Sequence, residues 1–248
     1  MARLVTSITK LGKTEPFELQ VAQNQIAYHE VINIFGWQAS TTTSFIPLWE
    51  NATAYTYPGS ALTMTVTSAS SSDDGGTVLI KGLDINYEEI SEVVTCNNAT
   101  PPTTTKGFFR INDAIFSKTS GANVGDITIS NDGTTYAKIL TGIGRNQASI
   151  FTVPAGKCFF LYRIDAFSND STASKPGLFR NYVQYSTGQV YVVARTTFSG
   201  NMNIQRRLPF KYDEKQDIQF QLRTLSGTHE MNVFGEGVLV LQGSALNG

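Results

Sequence analysis

Leu62-Thr63-Met64-Thr65-Val66-Thr67 alternates one apolar residue with one threonine. A strand points successive side chains to opposite faces, so this stretch offers one face to a core and one to water. The pattern repeats on either side. Val78 and Ile80 lie on a strand ending at Gly82, and Ile90 to Thr95 forms another. Phe108 to Ile111, Ala114 to Phe116, Asp126 to Ser130 and Tyr136 to Leu140 follow. Between them lie turns, among them Ser70 to Gly76, the proline-containing loop from Asn97 to Thr105, and Asn131-Asp132-Gly133, a tight-turn signal. Short strands with such turn chemistry between them describe an antiparallel sandwich.

Further along, Thr141-Gly-Ile-Gly-Arg-Asn-Gln147 reads as a boundary. Beyond it come Ala148–Val153, Phe159–Ala166, Tyr182–Tyr185, Val190–Phe198, Asp217–Leu225 and Met231–Leu241, with Gly- and Asn-rich turns between them. The expected organisation is all-β: an extended arm over 1–37, a first sandwich over 38–141 and a second, jelly-roll-like or Ig-like, over 142–248. Within the arm, Phe17, Leu19 and Val21 alternate with polar residues after Pro16, and Val31, Asn33 and Phe35 alternate again before Trp37. A helix over 17–34 is the competing reading, through Leu19, Ala22, Gln23 and Ile26; extended structure is preferred. Pro47, Pro58 and Gly59 make 40–60 turn-rich, with Trp49 looking exposed.

Composition agrees. Charged residues are 16% of the 248, against about a quarter in an average soluble domain. Serine and threonine replace them, 20 and 29 in number, and both favour strands and turns over helix interiors. At 41% hydrophobic the chain can bury a core, so disorder is not expected. No apolar run is long enough to span a membrane. Nineteen basic residues against 20 acidic give a net charge of −1, which argues against nucleic-acid binding. The first ten residues lack a signal-peptide pattern, so synthesis in a cytoplasm is expected. Cys96 and Cys158 lack metal-ligand or CxxC spacing and read as two buried thiols.

The search for chemistry finds little. His29 and His229 are the only histidines, in no metal-ligand pattern, and read as surface or interface residues. No GxSxG elbow is present, and Gly142-Ile-Gly144 is a linker turn. Glu88-Glu89 and Asp213-Glu214 are adjacent carboxylates, which a strand would point to opposite faces and a glycosidase could not use together. Asp73-Asp74-Gly75-Gly76 and Asn131-Asp132-Gly133 read as turns and not as calcium loops. The sequons at Asn51, Asn98 and Asn169 carry little weight in so Ser/Thr-rich a chain. No catalytic residue, cofactor or metal is expected. Tyr182, Tyr185 and Tyr191, near Phe179 and Arg180, are candidates for stacking on a carbohydrate, with a core or subunit contact as the alternative.

Two phrases, Gly82-Leu-Asp-Ile-Asn-Tyr-Glu-Glu-Ile-Ser-Glu-Val-Val-Thr95 and Thr104-Thr-Lys-Gly-Phe-Phe-Arg-Ile-Asn112, resemble a family of structural proteins of tailed bacteriophages of marine and cyanobacterial type. The similarity continues through Asn123-Val-Gly-Asp-Ile-Thr-Ile-Ser130 and Gln147-Ala-Ser-Ile-Phe-Thr-Val-Pro-Ala-Gly-Lys157. Val153 to Lys157 also resembles the opening turn of jelly-roll modules on phage heads and tails. The resemblance implies a non-enzymatic virion component without catalytic residues. A capsid decoration or cement protein is expected, a homotrimer bridging major capsid protein subunits. Phe17, Leu19, Val21, Phe35 and Trp37 are its expected anchoring contacts, unless the arm simply completes the first sandwich. The alternative is a tail, baseplate or head-fibre part that binds a host glycan through the tyrosines.

Overall fold

A computed structural model describes residues 9–10, 13–169 and 176–242. Two short strands, β1 (Thr9–Lys10) and β2 (Lys13–Thr14), precede helix α1 (Phe17–Ala22), then β3 (His29–Thr41) and β4 (Ile46–Pro47). Six strands follow: β5 (Thr65–Ser68), β6 (Thr77–Leu83), β7 (Glu89–Thr95), β8 (Arg110–Ser117), β9 (Ile127–Asn131) and β10 (Thr134–Ile139). The remainder is β11 (Ile150–Thr152), β12 (Lys157–Ser168), β13 (Gly177–Gln184), β14 (Val190–Phe198), β15 (Asn201–Tyr212), β16 (Asp217–Thr224) and β17 (His229–Leu241). The fold is all-β and every strand pair is antiparallel.

One sandwich stacks the sheet β10-β9-β5 on the sheet β7-β6-β8. Met64 and Val66 are buried in its core with Val78, Ile80, Phe108 and Ile129, while the intervening Thr63, Thr65 and Thr67 are less buried. The alternating stretch behaves as its period requires. Asp132 and Gly133 turn β9 into β10 with φ of 44° and 76°, the left-handed pair that matches the twist of a two-residue hairpin. Asp73 closes the neighbouring loop. Its buried carboxylate accepts from Ser68 Oγ and from the backbone N–H of Val124 and Gly125.

The other sandwich stacks β15-β12-β17-β3 on β11-β16-β13-β14, with β4 added to β16. Phe159, Phe179, Phe220 and Leu222 fill the space between its sheets. Here the structure departs from the expected arm. Residues 29–41 form a full strand on β17, in register from His29 opposite Val240 to Thr41 opposite His229. They complete the second sandwich and not the first. Gly36 allows the fit, because a Cβ there would meet the Leu48 carbonyl oxygen at 2.5 Å and Ser149 at 2.6 Å. Ile46 and Leu48 go with the same sheets, so residues 38–48 also lie with the second core.

Three further differences have local causes. Residues 17–22 are helical: Pro16 occupies the N-cap position, which its fixed φ permits, and Val21 and Gln20 turn inward. Trp49 is buried at 2% exposure and donates its indole N–H to the Thr53 carbonyl at 2.7 Å. Strand β15 has no counterpart in the sequence reading. Its pairing with β12 breaks between Gln205 and Phe210, so Arg206 to Pro209 form a bulge that interrupts the alternation.

The two sandwiches meet along β8 and β11. Asn112 and Thr152 exchange two hydrogen bonds of 2.9 Å, amide to carbonyl in each direction. Beside them Arg110 holds Asp217 in a two-pronged ion pair at 2.8 and 2.9 Å. Thr152 Oγ1 donates to the same carboxylate at 2.5 Å.

Candidate functional site

The second sandwich has open edges. Among the described residues strand β14 pairs only with β13, and β15 only with β12. The two are consecutive, joined through Ser199 and Gly200. Val190, Tyr191, Val192 and Val193 are consecutive and 41–48% exposed. Up to the register break at Val193, successive residues face opposite ways, so Val190 and Val192 open to one side of this edge and Tyr191 to the other. Isolated exposed apolar residues are ordinary, whereas a contiguous run beside unpaired backbone is what monomeric sheet proteins blunt. On β15 the bulge does that blunting, through Arg206, Arg207 and Pro209, though Leu208 at its tip is 79% exposed.

Period two separates the three candidate tyrosines. Val183 is buried in the core and Tyr182, its neighbour, lies on the outer face beside Arg180. Tyr185 and Tyr191 share the opposite parity beyond the end of the core. Their rings meet edge to face at 5.2 Å, and both are exposed. The trio is therefore two surfaces: a tyrosine pair at the hairpin tip, and Tyr182 on the sheet. Sequence reasoning overlooked Phe45, which comes from the loop before β4 to lie against Arg180, Arg195 and Arg223. No local pattern marks it, because the arginines come from three strands.

The expected anchoring residues also divide. Phe17 and Leu19 stand exposed on α1, with Phe17 edge-on to the His29 ring at 5.7 Å. Val21 is buried. Phe35 is partly exposed opposite Phe234 and borders a cleft between the sandwiches with Asn112 and Ile143. Half-buried Trp37 donates its indole N–H to Glu230 at 2.8 Å. Residues 1–8 and 11–12 of the arm lie outside the described residues.

Titratable groups are held in structural roles. Glu88, Glu89, Asp213 and Glu214 are exposed; Glu89 binds Lys157, Asp213 binds Lys211, and Glu214 accepts from the Gly156 amide. His29 bonds the Ala27 carbonyl, and His229 is buried against Ser226, not on the surface. Among the described residues no three His, Cys, Asp or Glu side chains gather around a common point. Cys96 and Cys158 are free and buried, and burial raises both thiols. Glu50 is the outlier: burial pushes its carboxyl up to about 8, although the Gln147 amide donates to it. No helix among the described residues is long and apolar enough to cross a membrane.

No family model and no curated protein matches the chain. Solved structures similar to it include that of the infectious bursal disease virus Gt strain, at 10% identity over 93% of this chain and 79% of that one, with a TM-score of 0.22. The VP2 subviral particle of the same virus gives 9% identity over 94% and 79% of the two chains, with a TM-score of 0.23. Its derived T=1 particle gives 8% identity, 94% and 85% coverage and a TM-score of 0.15. The all-β architecture described above rests on this chain's own strand pairing.

Proposed function

We propose that this chain is a non-enzymatic structural protein of a virion, a capsid decoration or cement protein that bridges major capsid protein subunits as a homotrimer. One observation supports it most: the β14 edge, where Val190 to Val192 are exposed on both faces with exposed Val193 beside them. Each such side chain, fully covered, would contribute about 1.5–3 kcal/mol, and half-exposed ones proportionally less. Repeated around a symmetric ring, that is enough to hold copies together without a cofactor. Exposed Phe17 and Leu19 on α1 offer a second apolar contact for a shell subunit.

Particle stoichiometry and sedimentation test the reading together. A shell decorator is expected on the order of hundreds of copies per purified particle. The isolated chain is expected to sediment as an oligomer that the double variant Val190→Lys, Val192→Lys reduces to monomer. A handful of copies, or a parent chain that stays monomeric at high concentration, overturns it.

The exposed Tyr185–Tyr191 pair favours a second reading, a tail, baseplate or head-fibre component that binds a host glycan at the hairpin tip. Glycan-array binding that disappears with Tyr185→Ala and Tyr191→Ala would select it.

A further inference from the structure

Three arginines surround Phe45 on the outer face of the second sandwich. The Cζ atoms of Arg180, Arg223 and Arg195 lie 4.3, 4.9 and 5.6 Å from its ring centroid. Strand register brings them there. Arg180 sits directly opposite Arg195 on β14 and opposite Gln221 on β16, and Arg223 is two residues beyond Gln221 on the same face. Like charges directly opposite one another in a sheet are destabilising, so the arrangement calls for a counter-charge.

Among the described residues none is provided. Arg180 Nε donates to Gln221 at 2.6 Å and Arg223 donates to the Thr43 carbonyl at 3.3 Å, both neutral acceptors. Nε of Arg223 is buried without an acceptor. Each guanidinium carries five N–H groups, so most of the donor capacity of this cluster has no protein acceptor among the described residues. Burial, and then repulsion from Arg195 and Arg223, pull the Arg180 guanidinium below its ordinary value. The chain's net charge of −1 conceals this concentration of positive charge.

Beside the cluster runs a groove of about 360 Å³, lined by Phe45, Tyr55, Tyr57, Tyr182, Gln219 and Gln221. Phe45 and Gln221 belong to both features, and Arg180 lies 5.4 Å from the Tyr182 ring. Amides and phenols supply neutral donors and acceptors suited to hydroxyl groups, and an aromatic face suits the C–H face of a sugar ring. A protein carboxylate could satisfy the arginines, but it has no use for the groove.

We propose that this face binds an acidic saccharide, its carboxylate or sulfate on Arg180, Arg195 and Arg223 and its ring in the groove against Tyr182. The site is distinct from the β14 apolar edge and from the tyrosine pair at the hairpin tip, and stands whether or not the chain decorates a capsid.

Calorimetric titration of the full chain tests it with four probes: an oligogalacturonate, its neutral methyl ester, a heparin-derived sulfated oligosaccharide, and oligoglutamate. Binding of the uronate, the sulfated sugar or both is expected, and which of them binds identifies the anion. The ester and oligoglutamate should bind at least about tenfold more weakly, and Arg195→Gln should weaken saccharide binding about tenfold. Arg195 is exposed, so that variant should melt like the parent. Tyr182→Leu is expected to weaken the saccharides and leave any residual oligoglutamate binding unchanged. Failure of both acidic sugars to bind, an ester that binds equally well, or indifference to Arg195→Gln overturns the proposal. Oligoglutamate binding as tight as the sugars assigns the cluster to an acidic peptide and overturns it too.

Discussion

Arg110 is buried between the two sandwiches, with its guanidinium 4.0 Å from the Phe109 ring and 4.4 Å from the Tyr57 ring and paired to Asp217. Removing one member of such a pair leaves the other charged in a place water does not reach. Asp217→Asn or Arg110→Met is expected to cost about 3–5 kcal/mol in denaturant unfolding. The double change Arg110→Met, Asp217→Leu should recover much of the loss, because no lone charge remains. Glu50 makes the opposite kind of prediction, one in pH. Its folded carboxyl titrates at about 8 against an ordinary 4.5, so the folded state holds a proton that the unfolded chain releases. Stability from this group is complete below pH 4.5 and declines as pH rises toward 8. Glu50→Gln keeps an acceptor for the Gln147 amide and carries no proton to lose. Unfolding measured across that range should decline in the parent relative to the variant, by up to about 4 kcal/mol. Asp73 runs the other way: burial would raise its carboxyl, but the donors from Ser68, Val124 and Gly125 outweigh that and lower it. Its contribution is present above the ordinary carboxylate range and is lost only in stronger acid.

At the scale of elements, what could be read in the sequence was what a period of two can express. The ladder from Leu62 to Leu140 and the strands from Ala148 onward appear nearly where alternation puts them, and Asn131-Asp132-Gly133 turns as its residues require. Helix α1, strand β15 and the partner of β3 escaped, each for its own reason. Helix α1 is six residues long, too short for a 3.6-residue period to outweigh the alternation of Phe17, Leu19 and Val21. Strand β15 carries a bulge at Arg206 to Pro209, where the pattern loses its phase. Strand β3 alternates correctly, but nothing within it says that its partner is β17, some two hundred residues away. Tyr182, Tyr185 and Tyr191 could be singled out only as one group and not as two surfaces, while the arginine cluster could not be read at all, since a site assembled by register across β13, β14 and β16 has no signature on any one strand. Gly36 is the point at which β3 can be tested. A Cβ there runs into backbone at Leu48 and Ser149, which cannot swing aside. Gly36→Ala is expected to destabilise by about 1–3 kcal/mol, lowering the denaturation midpoint, whereas an alanine at Gly59, where nothing stands within 4 Å, should leave it unmoved.

Considered as a whole molecule, the chain keeps two hydrophobic cores joined by one polar seam: the Arg110–Asp217 pair, the Asn112–Thr152 exchange and the Ala155 amide on the Tyr87 carbonyl. A chain begun at residue 38 would lose most of β3 and bare the flank of β17. It is expected to aggregate or to unfold without a cooperative transition, while a detachable arm would come away and leave the melting curve intact. The pairing of β3 with β17 also decides how the molecule answers a mechanical load. The two strands run antiparallel, with His29 level with Val240, and their hydrogen bonds lie across the strand direction. Traction applied beside His29 and Leu241 therefore strains one rung at a time, as a zip is drawn, and never all the rungs at once. Grips placed there would peel the outermost ribbon from the sheet at small force, whereas the same tension applied at His29 and Met231, at opposite ends of that ladder, would meet the full row together.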